Sequence, residues 1–159
     1  MVNVGQKAID FTLKSSEKKL VSLSDYRGAY ILLYFYPKNY TPGCTKEACE
    51  FRDQYSAFER LNAKVIGISN DDTSSHETFA AQYSLPFTLL SDPSYKTSSD
   101  YGVWKTKKIL GKETTGIERT TFIIDPDGLI AKVYKNVKVK DHVAAVYDDL
   151  LALLETANG

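Results

Sequence analysis

The stretch that decides the fold is YILLYFYPKNYTPGCTKEACEFRD, residues 30–53. Its first part, from Tyr30 to Tyr36, is an apolar, β-prone run that stops at Pro37, which is the profile of a buried central strand. Its second part begins a helix that we expect to run from about Pro42 to Leu61, because apolar residues recur along one face. A central strand that leads directly into a helix is typical of an α/β protein.

The segments outside this stretch continue the alternation of strands and helices. Apolar periodicity predicts strands at 64–69, 86–90, 120–124 and 129–134, and helices at 73–83 and 140–154. The turn-forming sequence DPDG at 125–128 predicts a hairpin between the last two strands. This order predicts an α/β, thioredoxin-like fold, with a mixed central β-sheet flanked by helices on both faces. Other α/β arrangements share long parts of the same order.

Length and composition narrow the classes of protein to consider. The chain has 159 residues, which predicts a single domain over 1–159. Its 20 basic residues balance 20 acidic ones, so the net charge favours neither nucleic acid nor an anionic membrane as a partner. The start of the chain has no apolar signal core, and the longest apolar run is too short to span a bilayer. Together with two cysteines, these features predict a cytoplasmic protein whose thiols are kept reduced.

The chemistry is concentrated where the central strand meets the helix. Thr41 is a good N-cap, which puts Pro42 at the first helical position and Cys44 at the third. A thiolate at the third position faces free N–H groups and the positive end of the helix dipole. Cys44 is therefore a candidate nucleophile. Gly43 has no side chain, so a small substrate could approach the backbone amides; the alternative is a well-capped helix with a packed cysteine.

A second cysteine on the same helix constrains what the pair can do. Cys49 lies about 140° around the helix from Cys44, and helix geometry puts their Cα atoms about 8.5 Å apart. A disulfide requires less than about 7 Å, so either the pair never bonds or the helix start unwinds first. In the second case Cys44 would attack a peroxide and form a sulfenic acid, and Cys49 would resolve it as a disulfide that an external dithiol reduces.

The peroxide reaction needs two further groups. Thr41 supplies a hydroxyl within one turn of Cys44, as a donor to the departing oxygen. Arg119, just before a predicted strand, is our candidate for the positive charge, although an arginine at a strand edge is more often simply exposed.

Several segments resemble the peroxiredoxin family. Residues 37–44 match its active-site pattern of proline, three residues, threonine, two residues and cysteine. The longer stretch 36–53, together with YGVW at 101–104 and ERTTFIID at 118–125, resembles the peroxiredoxin Q group, also called bacterioferritin comigratory protein. The resemblance extends from about residue 4 to residue 154. One departure is Asn39, where this group often carries an aspartate; we expect it to affect loop detail.

The resemblance implies an antioxidant thiol peroxidase that reduces hydrogen peroxide and organic hydroperoxides. It implies thioredoxin as the reductant, a mostly monomeric protein, and no metal or organic cofactor. The site residues it implies are Cys44 as the peroxidatic cysteine, Cys49 as the resolving cysteine, Thr41 as the hydroxyl partner, Arg119 as the active-site arginine, and Pro37 with Gly43 at the substrate pocket.

Three alternatives remain to be weighed. A thioredoxin-type oxidoreductase is disfavoured, because such enzymes use Cys-x-x-Cys and this pair has four residues between its cysteines. A non-enzymatic redox-sensing or chaperone-like thiol module stays open as an added role. A zinc site is disfavoured, because His76 and His142 lack ligand spacing.

The lysine-rich stretch 105–112 is predicted to be a solvated loop.

Overall fold

The computed structural model describes residues 2–158, and its order of elements is that of a mixed α/β protein. The strands are β1 (Thr12–Ser15), β2 (Leu20–Ser22), β3 (Tyr30–Phe35), β4 (Ala63–Ser69), β5 (Thr88–Ser91), β6 (Trp104–Ile109), β7 (Lys112–Ile117), β8 (Thr120–Ile124) and β9 (Ile130–Tyr134). The helices are α1 (Pro42–Asp53), α2 (Tyr55–Arg60), α3 (Thr73–Gln82), α4 (Lys96–Asp100) and α5 (His142–Asn158).

Seven strands form one mixed sheet in the order β2-β1-β5-β4-β3-β8-β9. Strand β3 is parallel to β4 and antiparallel to β8, so it lies inside the sheet, and all six of its residues are buried. The βαβ connections and the antiparallel pair β8–β9 are those of the thioredoxin-like fold that the sequence predicted.

The two faces of the sheet carry separate apolar clusters. Leu32 and Tyr34 of β3 point to one face and share a buried cluster with residues of α1, α2, α3 and α5. Leu33 and Phe35 point to the other face and share a cluster with Tyr101, which ends α4. Successive strand residues alternate between faces, so this one strand contributes to both cores.

The helix expected over 42–61 is instead two helices. Gln54 lies between α1 and α2 with φ −99° and ψ 3°, outside the helical region, and ends the first helix. Neither glycine nor proline marks the break, and the apolar stripe continues across it with Phe51 and Phe58 in the same core. Periodicity alone therefore could not reveal it.

The lysine-rich stretch 105–112 was wrongly predicted as a loop. It forms most of a hairpin in which β6 pairs with β7 as a separate two-stranded sheet. Leu110 and Gly111 make the tight turn, with φ values of 52° and 80°. The short strands β1 and β2 were not predicted either. Within residues 2–158, no helix combines the length and apolar character needed to cross a bilayer.

Candidate active site

The start of α1 has the register that the sequence predicted. Thr41 is the N-cap residue with extended backbone angles (φ −73°, ψ 149°), and Pro42 begins the helix. Cys44 is therefore the third helical residue. The side chain of Thr41 makes no capping hydrogen bond; its hydroxyl donates to the carbonyl of Lys38 at 2.9 Å. The oxygen of that hydroxyl keeps lone pairs with which to accept a hydrogen bond.

The sheet register brings Arg119 to Cys44. Strand β8 runs antiparallel to β3 with Thr120 opposite Phe35, so the residue before β8 lies at the end of β3 where α1 begins. The guanidinium Nη2 of Arg119 donates to the Sγ atom of Cys44 at 3.3 Å. Cys44 is only 1% exposed. The guanidinium therefore places a positive charge and a hydrogen-bond donor directly against a buried sulfur.

Gly43 lies where the arginine passes the helix. A Cβ atom at this position would lie 3.1 Å from Nη2 of Arg119 and 3.9 Å from a methyl group of Val139. A nitrogen that close would have to move for any larger residue to fit. The sequence indicated room for a substrate here, and the structure adds a second reason for glycine, namely the close approach of the guanidinium.

Glu47 is a site residue that the sequence analysis missed. It lies three residues after Cys44 on the same face of α1, is fully buried, and accepts a hydrogen bond of 2.7 Å from Nη1 of Arg119. Burial raises the pKa of Glu47 to about 7, against the opposing effect of Arg119. A charged residue on the inward face of an amphipathic helix requires a buried partner, and this was the available signal.

The second oxygen of Glu47 is unsatisfied. Among the described residues, its Oε2 atom has no hydrogen-bond partner, and Nε2 of His142 lies 4.0 Å away. That nitrogen is instead 2.8 Å from Oγ1 of Thr121. Burial, followed by the positive charge of Arg119, lowers the pKa of His142 to about 4. His142 is therefore neutral at pH 7 and leaves the Glu47–Arg119 pair without a second cation.

Within residues 2–158, two of the predicted site residues form no side-chain hydrogen bond with this cluster. Cys49 is half-buried further along α1, and both cysteines are free thiols. Because the helix is continuous from Cys44 to Cys49, the two are held about 8.5 Å apart by helical geometry. Pro37 follows β3 and is exposed. The structure thus joins Cys44, Gly43 and Arg119, and separates the two thiols.

Comparison with known proteins identifies the family. Residues 4–133 match the AhpC/TSA family. Peroxiredoxin Bcp of Bacillus subtilis is 49% identical over 154 residues, which cover 97% of this chain and 98% of that protein.

Two solved structures have the same fold over nearly the whole chain. A cysteine-to-serine mutant of PrxQ from Xylella fastidiosa has a TM-score of 0.92 at 35% identity and covers 97% of this chain and 98% of its own. The bacterioferritin comigratory protein of Xanthomonas campestris, with described alkyl peroxide reduction activity, has a TM-score of 0.89 at 34% identity, covering 96% and 97%. The chain therefore belongs to the AhpC/TSA family, as a thiol peroxidase of the group named peroxiredoxin Q or Bcp.

Proposed function

We propose that Cys44 is the peroxidatic cysteine and that the hydrogen bond from Arg119 to its sulfur is what activates it. The Cys44 thiolate attacks the terminal oxygen of a hydroperoxide, the O–O bond breaks, and the sulfur becomes a sulfenic acid. The leaving oxygen takes up a proton and departs as water or an alcohol. The observation that carries this proposal is the 3.3 Å contact between Nη2 of Arg119 and Sγ of Cys44.

Arg119 and Thr41 have complementary roles in this step. The guanidinium of Arg119 stabilises the thiolate and then the negative charge that develops on the peroxide oxygens. Because the hydrogen of the Thr41 hydroxyl is already donated to Lys38, we propose that Thr41 accepts a hydrogen bond from the O–H of the incoming hydroperoxide. This differs from the donor role expected from the sequence. Gly43 leaves the approach to the sulfur open, and the role at the substrate pocket expected of Pro37, which is exposed, stays a prediction.

Cys49 resolves the oxidised cysteine in the second step. Its thiolate attacks the sulfur of the sulfenic acid, a disulfide forms, and the hydroxyl group departs as water after taking up a proton. The first turns of α1 have to unwind, because the helical separation is too long for a disulfide. Helix ends open at low free-energy cost. That cost is lowered further because the side chain of Thr41 makes no capping hydrogen bond and because Gly43 has a low helix propensity.

Thioredoxin is the proposed reductant of the Cys44–Cys49 disulfide, and organic hydroperoxides are proposed substrates besides hydrogen peroxide. The described alkyl peroxide reduction activity of the Xanthomonas campestris relative supports the second of these assignments. The monomeric state, the single domain over 1–159, the cytoplasmic location and the absence of a cofactor stay predictions from the sequence.

The first experiment is a peptide map by mass spectrometry. The reduced protein receives one equivalent of hydrogen peroxide, and free thiols are then alkylated. We expect a Cys44–Cys49 disulfide in the parent protein and a sulfenic acid on Cys44, trapped by dimedone, in the Cys49→Ser variant. Two free thiols in the parent after minutes would overturn the proposal.

Turnover then tests the cycle. Peroxide consumption with thioredoxin, thioredoxin reductase and NADPH should continue in the parent and stop after one equivalent in Cys49→Ser. Cys44→Ser should consume none. Full turnover by Cys49→Ser would refute the resolving role of Cys49, and a parent that oxidises once without turnover would point to a sensor.

A further inference from the structure

Residues 37–41, which lie in the loop between β3 and α1, are docked onto α3 through contacts of Asn39 and Tyr40. Asn39 is only 3% exposed although it lies in a loop. Its backbone N–H donates to Oδ2 of Asp71 at 2.9 Å, just before α3. Its neighbour Tyr40, with a φ of 68°, places its ring edge-on against Phe79 of α3 at 5.1 Å. The segment that leads to Cys44 is therefore fastened to another helix.

The hydrogen-bond partners of His76 and Asn39 determine which of the two ring nitrogens of His76 carries the hydrogen. Nε2 of His76 is 3.0 Å from the carbonyl oxygen of Leu90, which can only accept, so Nε2 carries the hydrogen. In the neutral ring Nδ1 is then an acceptor, and Nδ2 of Asn39 donates to it at 2.9 Å. The amide oxygen of Asn39 accepts from the hydroxyl of Tyr36 at 2.7 Å. The second amide hydrogen goes to Oγ of Ser75 at 3.1 Å.

This arrangement requires an amide at position 39. A carboxylate there would set two acceptors, its oxygen and Nδ1 of His76, against each other. The contact could form only if His76 took up a second proton. Burial lowers the pKa of His76, while the carboxylates of Asp71 and Asp72 oppose that shift. A further ionisable neighbour, the buried Tyr36, has a pKa raised well above its usual value by burial, and it stays neutral.

Resting on the proposed function, we propose that Asn39 and His76 are positioning residues whose neutral hydrogen bond holds loop 37–41 in the peroxide-reactive arrangement and must open before Cys49 can react. The docked loop fixes Thr41 and the first turn of α1, and so the place of Cys44 beside Arg119. Resolution needs that same turn to unwind. The bond therefore favours the first chemical step and opposes the second.

The opposite effects on the two steps distinguish positioning from mere stability. Breaking the Asn39–His76 bond should slow the oxidation of Cys44, because Thr41 is released. It should speed disulfide formation, because the docked state no longer competes with unwinding. A buried hydrogen bond of this kind corresponds to a change of about tenfold in the ratio of the two rates.

The test compares Asn39→Asp with the matched variant Asn70→Asp. Asn70 is half-buried next to Asp71 and donates to the carbonyl of Asp92 at 2.9 Å, so the control makes the same atomic change and adds the same charge beside Asp71. Oxidation is timed by quenched flow in the Cys49→Ser background, and disulfide formation with both cysteines present. At pH 7.5 we expect slower oxidation and faster disulfide formation for Asn39→Asp only.

The pH dependence of the two rates gives a second, independent test. In the parent, docking requires a neutral His76, so it is lost as the pH falls through the lowered pKa of that residue. In Asn39→Asp, docking requires a charged His76, so it is restored as the pH falls and lost as it rises. The two proteins should therefore change in opposite directions on acidification. His76→Gln, whose amide can accept from Asn39 and donate to Leu90, should keep parent-like rates without the pH dependence.

A readout that does not depend on catalysis separates the two proposals. The ¹⁵N shifts of the His76 ring should report a neutral imidazole with its hydrogen on Nε2 in the parent and a pKa raised relative to the parent in Asn39→Asp. Equal rates and equal ring shifts in Asn39→Asp and Asn70→Asp would overturn the positioning role. Failure of the parent to react with peroxide would instead overturn the proposed function, while leaving the ring shifts informative.

Discussion

Two polar clusters hold the start of α1. They differ in charge and in whether all of their polar atoms have hydrogen-bond partners. The charged cluster consists of Arg119, Glu47 and His142, and it touches the sulfur of Cys44 directly. The neutral cluster consists of Asn39 and His76 with their partners Tyr36 and Ser75, and it touches only the preceding loop. The two clusters contact consecutive parts of one short segment of chain.

This difference in hydrogen-bond satisfaction indicates that the two clusters have different roles. In the charged cluster one oxygen of Glu47 lacks a hydrogen-bond partner among the described residues, so a buried charge is left partly uncompensated. In the neutral cluster the amide of Asn39 uses its oxygen and both of its hydrogens. The charged cluster places the cation of Arg119 beside the sulfur, where negative charge develops during the reaction, whereas a satisfied neutral network fixes geometry.

Removing the cation should have the largest effect and would break the charged cluster outright. Arg119→Met is expected to slow the oxidation of Cys44 by about 100- to 1,000-fold, because the positive charge that contacts the sulfur is lost. It also leaves Glu47 buried without its partner. Stopped-flow measurement with hydrogen peroxide checks the rate, and circular dichroism checks folding.

Two arginine variants make this result specific. Arg119→Lys keeps the charge but not the fork that binds Cys44 and Glu47 together, so an intermediate rate is expected. Arg27→Met removes an arginine that donates to the carbonyl of Asp127, and it should leave the rate unchanged. A parent-like rate in Arg119→Met would remove the charged cluster from the mechanism.

Neutralising Glu47 should have the next largest effect. Glu47→Gln removes the charge that holds Nη1 of Arg119, so we expect oxidation about tenfold slower above neutral pH. Since the pKa of Glu47 is about 7, the parent should show an inflection near pH 7 in its rate profile. The variant should lack that inflection. Glu50→Gln, on the same helix, is the matched control, and an inflection that persists in Glu47→Gln would assign it to another group.

A methyl group at Gly43 tests how closely the arginine must approach. Gly43→Ala puts a Cβ atom 3.1 Å from Nη2 of Arg119, which shifts the guanidinium by a few tenths of an ångström. Oxidation should slow about fivefold, because small displacements of a catalytic group have large effects. Helix propensity favours alanine, so thermal stability should not fall in parallel. Gly116→Ala, with open space around its Cβ position, should change neither property.

The last expected effect is on the pH dependence of stability and not on a rate. Glu47 keeps its proton up to about pH 7 in the folded state but only to about 4.5 when unfolded, so stability falls as the pH rises between these values. His142 loses its proton near pH 4 when folded and near 6.5 when unfolded, so stability rises with pH over that range. Between 4.5 and 6.5 the two contributions oppose each other.

His142→Gln should expose the contribution of Glu47. The free energy of unfolding should then fall more steeply as pH rises from 4.5 to 6.5, by at most about 1.4 kcal/mol per pH unit relative to the parent. Urea unfolding at three pH values measures this slope. The double variant with Glu47→Gln should lose the added slope, and a slope unchanged from the parent in His142→Gln would separate His142 from the charged cluster.

The sequence was most informative where neighbouring residues determine the outcome. The apolar run of β3 and the turn between β8 and β9 follow from residues adjacent in the chain, as does the register that makes Cys44 the third residue of α1. The break at Gln54 and the hairpin β6–β7 were missed, because neither changes the apolar periodicity in a recognisable way.

The composition of the two clusters depended on tertiary structure. Sequence nominated Arg119 mainly through a family resemblance, and it gave no role to Glu47 and only loop detail to Asn39. The partner of Glu47, Arg119, lies 72 residues away and is brought close by the pairing of β3 with β8. The partner of Asn39, His76, lies 37 residues away and is brought close by the packing of α3. Local propensity and periodicity act over a few residues, whereas burial and hydrogen-bond complementarity between distant segments arise only when the sheet has formed. The sequence by itself determined where the reactive thiol lies, and the tertiary structure decided what surrounds it.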